Sequence, residues 1–252
     1  MDSDAIKLLL WQYYSIQKLR VQTFNRIVGY VKDRRSQRGD GIQGTSASAP
    51  KLPPSEVARM ILKGELSAPE MEDLVWLHER LHSTEKDLAK RLDNWSRGFP
   101  IRREWLDRVK GIGPVFASGL IAYLAPIERF PNVSKLWKYA GLAPGQRRKR
   151  GEKLDYNPKL KTLCWKIWNT FVKIDCFGRR LYLESKEYCR AKHPDWTKAH
   201  VHNWAGRRTV KIFLSCLWAE WRRLEGLPVT QPYAIQFLGH SDVVIPEMWV
   251  EK

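Results

Sequence analysis

The sequence predicts an all-α protein, a helical bundle in which a helix-hairpin-helix element follows long coiled-coil-like helices. Apolar residues recur at three- and four-residue spacings along most of the 252-residue chain, as they do on one face of an amphipathic helix. Glycine, proline and capping residues separate these segments, where helices are expected to begin or end. The chain shows no convincing pairing of β-strands, so the fold class is predicted from helices alone.

The first hundred residues are predicted to form a helix, a linker and a second helical segment. Residues 1–33 are expected to form one long helix, and 34–54 a flexible linker because this stretch is rich in glycine, serine and proline. Residues 55–100 are predicted to form a coiled-coil-like helical arm. Its heptad-like seam consists of Leu74, Leu77, Leu81, Leu88, Leu92 and Trp95. The seam packs either on the first helix or, in a homo-oligomer formed through residues 67–96, on a second copy.

A second helical domain is predicted over residues 101–226, followed by a tail over 227–252. The domain is expected to open with a short helix over 101–109 and a glycine turn. A later helix is expected to begin after Asn157, a favourable N-cap, with Pro158 at its first position.

The net charge of the chain is +17, and its distribution indicates the class of partner. Residues 101–223 contain 27 basic and 10 acidic residues, so they carry the whole excess. A charge concentrated in this way favours a polyanionic partner, with nucleic acid ahead of an anionic membrane surface. No segment approaches the roughly 18 apolar residues that span a bilayer, so no membrane partner is expected.

The stretch "VKGIGPVFASGL" is the first candidate binding element. Gly111 and Gly113 carry no side chain, so the turn between two helices can approach a phosphate closely. Backbone N–H groups of Gly111, Ile112 and Gly113, together with the N-terminus of the next helix, would bind the anion, with Lys110 beside them. Such contacts would hold the nucleic-acid backbone without reading its sequence.

Two further groups of cations are candidate phosphate ligands. A loop and the helix that follows it place seven basic residues within fifteen positions, namely Arg147, Arg148, Lys149, Arg150, Lys153, Lys159 and Lys161. On the final helix, Arg207 and Lys211 are four residues apart and therefore share a face. Binding through these groups should weaken steeply with salt, because each neutralised phosphate releases counterions.

The order of motifs in this domain resembles the C-terminal transposase domain of the insertion sequence 110/116/902 family. The resemblance rests on "VKGIGPVFASGLIAYLAPIERFPNVSKLWKYAGLAP", then a basic loop, "NPKLK" at a helix start, and a terminal basic helix around "RRTVKIFLSCLW". It covers residues 101–223. It implies a role in DNA transposition and recombination, with DNA as partner and a structured guide RNA as a candidate partner.

The chain departs from the family pattern at both places where the resemblance implies catalysis. Members of the family carry an N-terminal RuvC-like domain with four carboxylates that bind Mg²⁺, and no such half is expected in the first hundred residues here. They also carry a serine nucleophile in the loop after "GLAP". In this chain no serine or threonine lies between Gly141 and Lys161, and the matching place falls at Lys149 or Arg150.

The sequence therefore assigns no catalytic residue and no metal ligand, and it leaves open whether the chain is an enzyme. Mg²⁺ is expected only if a RuvC-like partner supplies the site in trans. The leading hypothesis is a transposase-family DNA-binding protein without its own complete nuclease site. The alternatives are an active recombinase with an unrecognised nucleophile and a stand-alone architectural or RNA-binding protein derived from a transposase.

The remaining candidates have structural interpretations. The four cysteines form no CxxC pair and are predicted to be reduced core residues of a cytoplasmic, nucleoid-associated protein. The histidines near Cys189 have loosely metal-like spacing, but His200 and His202 are two apart and do not share a helix face. Core packing is predicted for four helix tryptophans, and stacking on unpaired bases stays open. These four are Trp165, Trp168, Trp218 and Trp221.

Overall fold

The protein is all-α, as predicted. A computed structural model describes residues 3–38, 52–145, 151, 153–230 and 244–250, and within these ranges it contains nine α-helices and no β-strand. The helices are α1 (Ser3–Arg38), α2 (Pro54–Leu62), α3 (Glu72–Ser96), α4 (Pro100–Glu104), α5 (Pro114–Leu124), α6 (Val133–Tyr139), α7 (Pro158–Lys173), α8 (Phe177–Lys192) and α9 (Lys198–Leu224). The first helix runs five residues beyond its predicted end, and positions 39–51 of the predicted linker lie outside the described residues.

Residues Leu8–Arg91 form one compact unit, in which α3 packs on α1. The Glu85 carboxylate accepts hydrogen bonds from the Tyr13 hydroxyl (3.1 Å) and Gln17 (2.9 Å) and pairs with Arg20 (2.5 Å). Burial alone would raise the pKa of Glu85, but the hydrogen bonds from Arg20 and Gln17 outweigh burial and lower it. Arg34 of α1 also meets Glu70, in the 3₁₀ turn that precedes α3, at 3.3 Å. Within this unit the predicted arm therefore packs on the first helix, which is one of the two arrangements that the sequence left open.

Met1–Lys7 and Leu92–Lys252 form the second unit, whose helices pack around α9. Aromatic side chains of α9 are buried, among them Phe213, Trp218 and Trp221. The Trp218 indole N–H donates to the Phe130 carbonyl at 2.7 Å, which satisfies its one polar atom inside the core. Trp168 of α7 is buried as predicted, whereas Trp165 is 54% exposed, so the core prediction for Trp165 is wrong.

Two glycines allow α8 and α9 to approach α7 closely. A Cβ at Gly178 would lie 2.7 Å from Cγ of Phe171, and a Cβ at Gly206 would lie 2.5 Å from the Trp168 ring. Real Cβ atoms do not approach other heavy atoms so closely. The two rings therefore occupy the space that side chains at these positions would need.

Residues 244–250, the last described stretch of the predicted tail, pack on this unit. The Trp105 indole N–H donates to the Pro246 carbonyl at 3.0 Å, and Val109 forms an isolated antiparallel bridge with Val250. Trp105 also stacks on Phe213 with ring centroids 5.6 Å apart. These contacts draw Trp105 into the core, and its backbone leaves helical geometry at φ −134°, ψ −56°. The helix expected over 101–109 is therefore divided into α4 and a 3₁₀ turn, Leu106–Arg108.

All four cysteines are free and buried, in agreement with the prediction that they are reduced core residues. Burial raises the pKa of Cys164 and that of Cys216 to about 12, so neither thiol is ionised near neutral pH. Among the described residues, no helix is both long and apolar enough to cross a membrane.

The glycine at the α7–α9 crossing gives a stability prediction. Gly206→Ala should destabilise the protein by roughly 1–3 kcal/mol, because the added methyl group overlaps the Trp168 ring in a filled core. Gly29→Ala is the matched control, since no atom lies within 4 Å of a Cβ at that helical position. It should stabilise the protein by up to about 1 kcal/mol through helix propensity. Urea unfolding of the two variants and the parent chain measures both effects, and equal shifts would contradict the packing argument.

Candidate nucleic-acid interface

The two glycines of the predicted hairpin have different structural roles. Gly111 adopts a φ of +97°, which L side chains rarely take, and a Cβ there would lie 2.8 Å from Cδ1 of Ile174 and 3.1 Å from Phe171. Packing against α7 and the residue that follows it is therefore enough to explain Gly111. Ile112 was predicted as a contact residue, but its side chain is only 5% exposed and belongs to the core. The Ile112 backbone N–H donates to the Val109 carbonyl at 3.0 Å, so it is already satisfied within the turn.

Gly113 is the hairpin position that is open to solvent. Its backbone is extended (φ −80°, ψ 176°), it is exposed, and a Cβ added there would have no atom within 4 Å. It is the N-cap of α5 and supplies no side-chain cap, and Pro114 follows at the first helical position. The backbone N–H groups of Val115 and Phe116 in the first turn of α5 therefore have no capping side chain. Lys110, three residues away, is exposed as well.

A buried arginine stabilises the segment that precedes the hairpin. Arg102 is 2% exposed and pairs with Asp93 at 2.9 Å and with Asp107 at 2.5 Å. These contacts join the last turn of α3 to α4 and to the 3₁₀ turn that leads into the hairpin. Burial would raise the pKa of Asp93, but hydrogen bonds from Arg97 and Arg102 outweigh it and lower the pKa.

The start of α7 carries the second group of predicted contact residues. Asn157 is the N-cap, as predicted, and its side chain accepts from the backbone N–H groups of Lys159 and Leu160 at 3.0 Å each. Lys153 and Lys159 are exposed, and Lys161 places its ammonium 4.4 Å from the centroid of the Tyr156 ring. The remaining cations of the predicted loop, Arg147, Arg148, Lys149 and Arg150, lie outside the described residues.

An open groove of about 560 Å³ adjoins this helix start. It is lined by Tyr139, Leu154, Asp155, Tyr156, Asn157, Pro158 and Lys159. The Asn157 side-chain amide donates to the Tyr139 hydroxyl at 2.9 Å, so α6 and the start of α7 are joined across the groove.

The hairpin and the basic residues of α7 do not meet at one point. Gly111 packs against Phe171 near the end of α7, whereas Lys159 lies at its beginning. Twelve residues of α-helix separate these positions, which is about 18 Å. One strand of B-DNA advances 3.4 Å per base pair. Roughly five base pairs of a duplex would therefore span the distance between the two places.

A third cluster of cations lies on α9. The Lys211 ammonium is 4.2 Å from the centroid of the Trp137 ring, and the Trp137 indole N–H donates to the Lys211 carbonyl at 3.1 Å. Arg208 donates to the Ser185 hydroxyl at 2.8 Å, and Arg207 is exposed. Within the described part of the chain, no carboxylate forms an ion pair with Arg207, Arg208 or Lys211.

The electrostatics of this cluster favour an anion. Burial lowers the pKa of Lys211, and the charges of Arg207 and Arg208 lower it further. A phosphate beside the three cations would offset their mutual repulsion. The four-residue spacing predicts that Arg207 and Lys211 share one face of the helix. It could not predict the contact between Lys211 and Trp137, because the two residues are 74 positions apart in the sequence.

The histidines that follow α8 make aromatic and hydrogen-bond contacts. His193 and His200 stack on Trp196, and the His202 ring nitrogen Nδ1 lies 2.6 Å from the Tyr182 hydroxyl. In the described ranges, no three His, Cys, Asp or Glu side chains converge to hold a metal ion. The residues that the structure describes therefore do not form the four-carboxylate Mg²⁺ site that the family resemblance implies.

The domain is all-α, and it presents a glycine turn and clustered cations. Residues 103–165 match the model of the Transposase IS116/IS110/IS902 family. The match runs from α4 through the hairpin, α5 and α6 into the first half of α7, and it confirms the resemblance predicted there. It supports a transposase role and an interaction with DNA. A search of curated proteins found no match to the chain.

The Asp93–Arg102 pair gives a pH-dependent prediction. The pKa of Asp93 is lower in the folded protein than in the unfolded chain, so the carboxylate stabilises the fold above about pH 4. That contribution is lost as the pH falls through the folded pKa. Asp93→Asn should cost roughly 1.5–3 kcal/mol at pH 7, because Arg102 loses one of its two charged partners and keeps Asp107. Melting curves from pH 7 to pH 3 should show the gap to the parent protein narrowing, and a constant gap would contradict the ion-pair explanation.

The hairpin glycines give a second stability prediction. Gly111→Ala should destabilise the protein by roughly 2–4 kcal/mol, since it combines a left-handed backbone with overlap on Ile174 and Phe171. Gly113→Ala should change stability by less than about 1 kcal/mol, because its backbone angles suit alanine while alanine is a poorer N-cap than glycine. Thermal melts of the two variants at equal protein concentration provide the comparison. A loss of stability at Gly113 equal to that at Gly111 would show that the two glycines do not differ in role.

Proposed function

We propose that this chain is a transposase-family protein that binds the DNA backbone during transposition or recombination of an insertion sequence. The proposed contacts are the turn around Gly113 with Lys110, the cations at the start of α7, and the cations of α9. The observation that carries the proposal is the open, uncapped start of α5 at Gly113, which lies inside the segment that matches the transposase family. Backbone amides at such a helix start are suited to a phosphate oxygen.

The spacing of the contacts supports duplex DNA as the proposed ligand. The hairpin and the start of α7 are about 18 Å apart along one rigid helix, so a regular polyanion of matching length engages both better than a small anion does. The proposed groups are cations and backbone amides, which are suited to phosphates. The proposed role is therefore to hold and position DNA irrespective of its sequence.

We infer that binding, rather than strand cleavage, is the contribution of the residues described. The loop between Gly141 and Lys161 contains no serine or threonine. Ser118, in the hairpin's second helix, is buried, and its hydroxyl donates to the Pro114 carbonyl at 2.7 Å. A hydroxyl in that position cannot reach a phosphodiester.

The hairpin is tested by two substitutions that leave the core intact. Gly113→Val places a branched side chain beside the amides at the start of α5, and Lys110→Gln removes the nearby charge. Each substitution should weaken binding to a 30-base-pair duplex. The salt slope is the dependence of log K on the logarithm of the salt concentration, and the loss of one phosphate contact should reduce it by about 0.9. Fluorescence anisotropy at several salt concentrations measures both quantities.

Lys18→Gln serves as the matched control for Lys110→Gln. Lys18 is also exposed, but it lies in the Leu8–Arg91 unit outside the family match. Its substitution should leave the salt slope as it is in the parent chain. If Gly113→Val binds DNA with unchanged affinity and salt slope while it remains folded by circular dichroism, the hairpin is not a DNA contact.

A further inference from the structure

One end of the α8–α9 pair carries aromatic rings that the core does not use. These are Tyr188, His193, Trp196, His200 and Trp204, which we term the aromatic row. Tyr188 is 55% exposed, His200 is exposed, and the other three are partly exposed. Exposed aromatic side chains in contact with one another are unusual on a protein surface without a partner.

The rings of the aromatic row are stacked and connected. His193 and Trp196 have centroids 4.1 Å apart with planes 8° apart, and Trp196 and His200 are 4.0 Å apart at 23°. Two imidazoles so close to one indole centroid would overlap if they lay on the same face, so they cover opposite faces of Trp196. His200 and Trp204 are four residues apart on α9 and share a face. Trp204 in turn stacks with Tyr188 at 6.1 Å and 21°.

The charge around the aromatic row is complementary to a polyanion. Three basic residues and one acidic residue lie between Tyr188 and Trp204. Lys192 lies against the row, with its ammonium 5.8 Å from the Tyr188 centroid and 3.5 Å from the Tyr188 hydroxyl. Stacked aromatic faces among cations are the features that bind unpaired bases and their phosphates.

We propose that the aromatic row binds single-stranded DNA by stacking on unpaired bases. A duplex presents its phosphates but keeps the faces of its bases covered, so only an unpaired strand uses the aromatic faces as well as the cations. His200 and Trp204 are four positions apart on α9, about 6 Å, which corresponds to about two stacked nucleotides at 3.4 Å each. The choice of DNA rests on the proposed function, because strand exchange by a transposase exposes unpaired DNA.

The test compares the oligonucleotide dT15 with a 15-base-pair duplex at one salt concentration. Tyr188→Ala combined with His200→Ala should weaken dT15 binding about fivefold or more, as expected for loss of base stacking. It should change duplex affinity less than twofold. Tyr188→Phe keeps the ring and should retain dT15 binding. Trp165→Ala is the matched control, because Trp165 is a similarly exposed aromatic residue outside the row, at 54% against 55%.

A second measurement locates the strand directly. A dT15 strand that carries 5-iododeoxyuridine should crosslink under ultraviolet light to peptides from residues 186–204, which mass spectrometry identifies. The Gly113→Val variant should still form this crosslink, so failure of the hairpin proposal and failure of this one are distinguishable.

Three outcomes would overturn the proposal. The first is unchanged dT15 affinity in a folded Tyr188→Ala/His200→Ala variant. The second is an equal loss of dT15 binding in Trp165→Ala, which would show that position on the surface does not matter. The third is tighter binding of the matched uridine oligonucleotide than of dT15, which would assign the aromatic row to RNA instead of DNA.

Discussion

The ring of Phe171 fixes the arrangement of the unit that carries the family match. It lies where side chains at Gly111 and Gly178 would otherwise be, and it also contacts Phe213 and Trp249. The Phe171 side chain of α7 thus contacts four parts of this unit: the hairpin, the start of α8, the middle of α9 and the last described residues. Because protein cores are packed to near-crystal density, a change at Phe171 is transmitted to all four.

This constraint explains why the hairpin is suited to binding. Gly111 is held inside by Phe171 and Ile174, and Arg102 holds the preceding turn through Asp93 and Asp107. Gly113, two residues later, is left facing solvent with its backbone in place. An anion that binds there meets amides that are already positioned, and little conformational entropy is lost on binding. The first glycine of this short motif therefore serves packing, whereas the second lies outside the core.

Local features of the structure could be predicted from the sequence, whereas contacts between distant residues could not. The all-α class, the Asn157 N-cap and the start of α7 follow from periodicity and capping, which depend on neighbouring residues. The division of the helix over 101–109 depends on Pro246, 141 residues after Trp105. Likewise, Trp165 and Trp168 both fit an apolar stripe, but only Trp168 meets a glycine, Gly206, that makes room for its ring.

The same comparison separates the aromatic residues of the core from those of the surface. Phe171 and Trp168 are each buried against a glycine on a neighbouring helix, which is how this fold accommodates large rings. Tyr188 stacks instead on another ring and is exposed beside Lys192. An aromatic ring that is exposed only because the core has no room for it requires neither a stacking partner nor a neighbouring cation, and Tyr188 has both. The surface rings thus form an arrangement of their own, and its chemistry matches the polyanion that the charge of the whole domain favours.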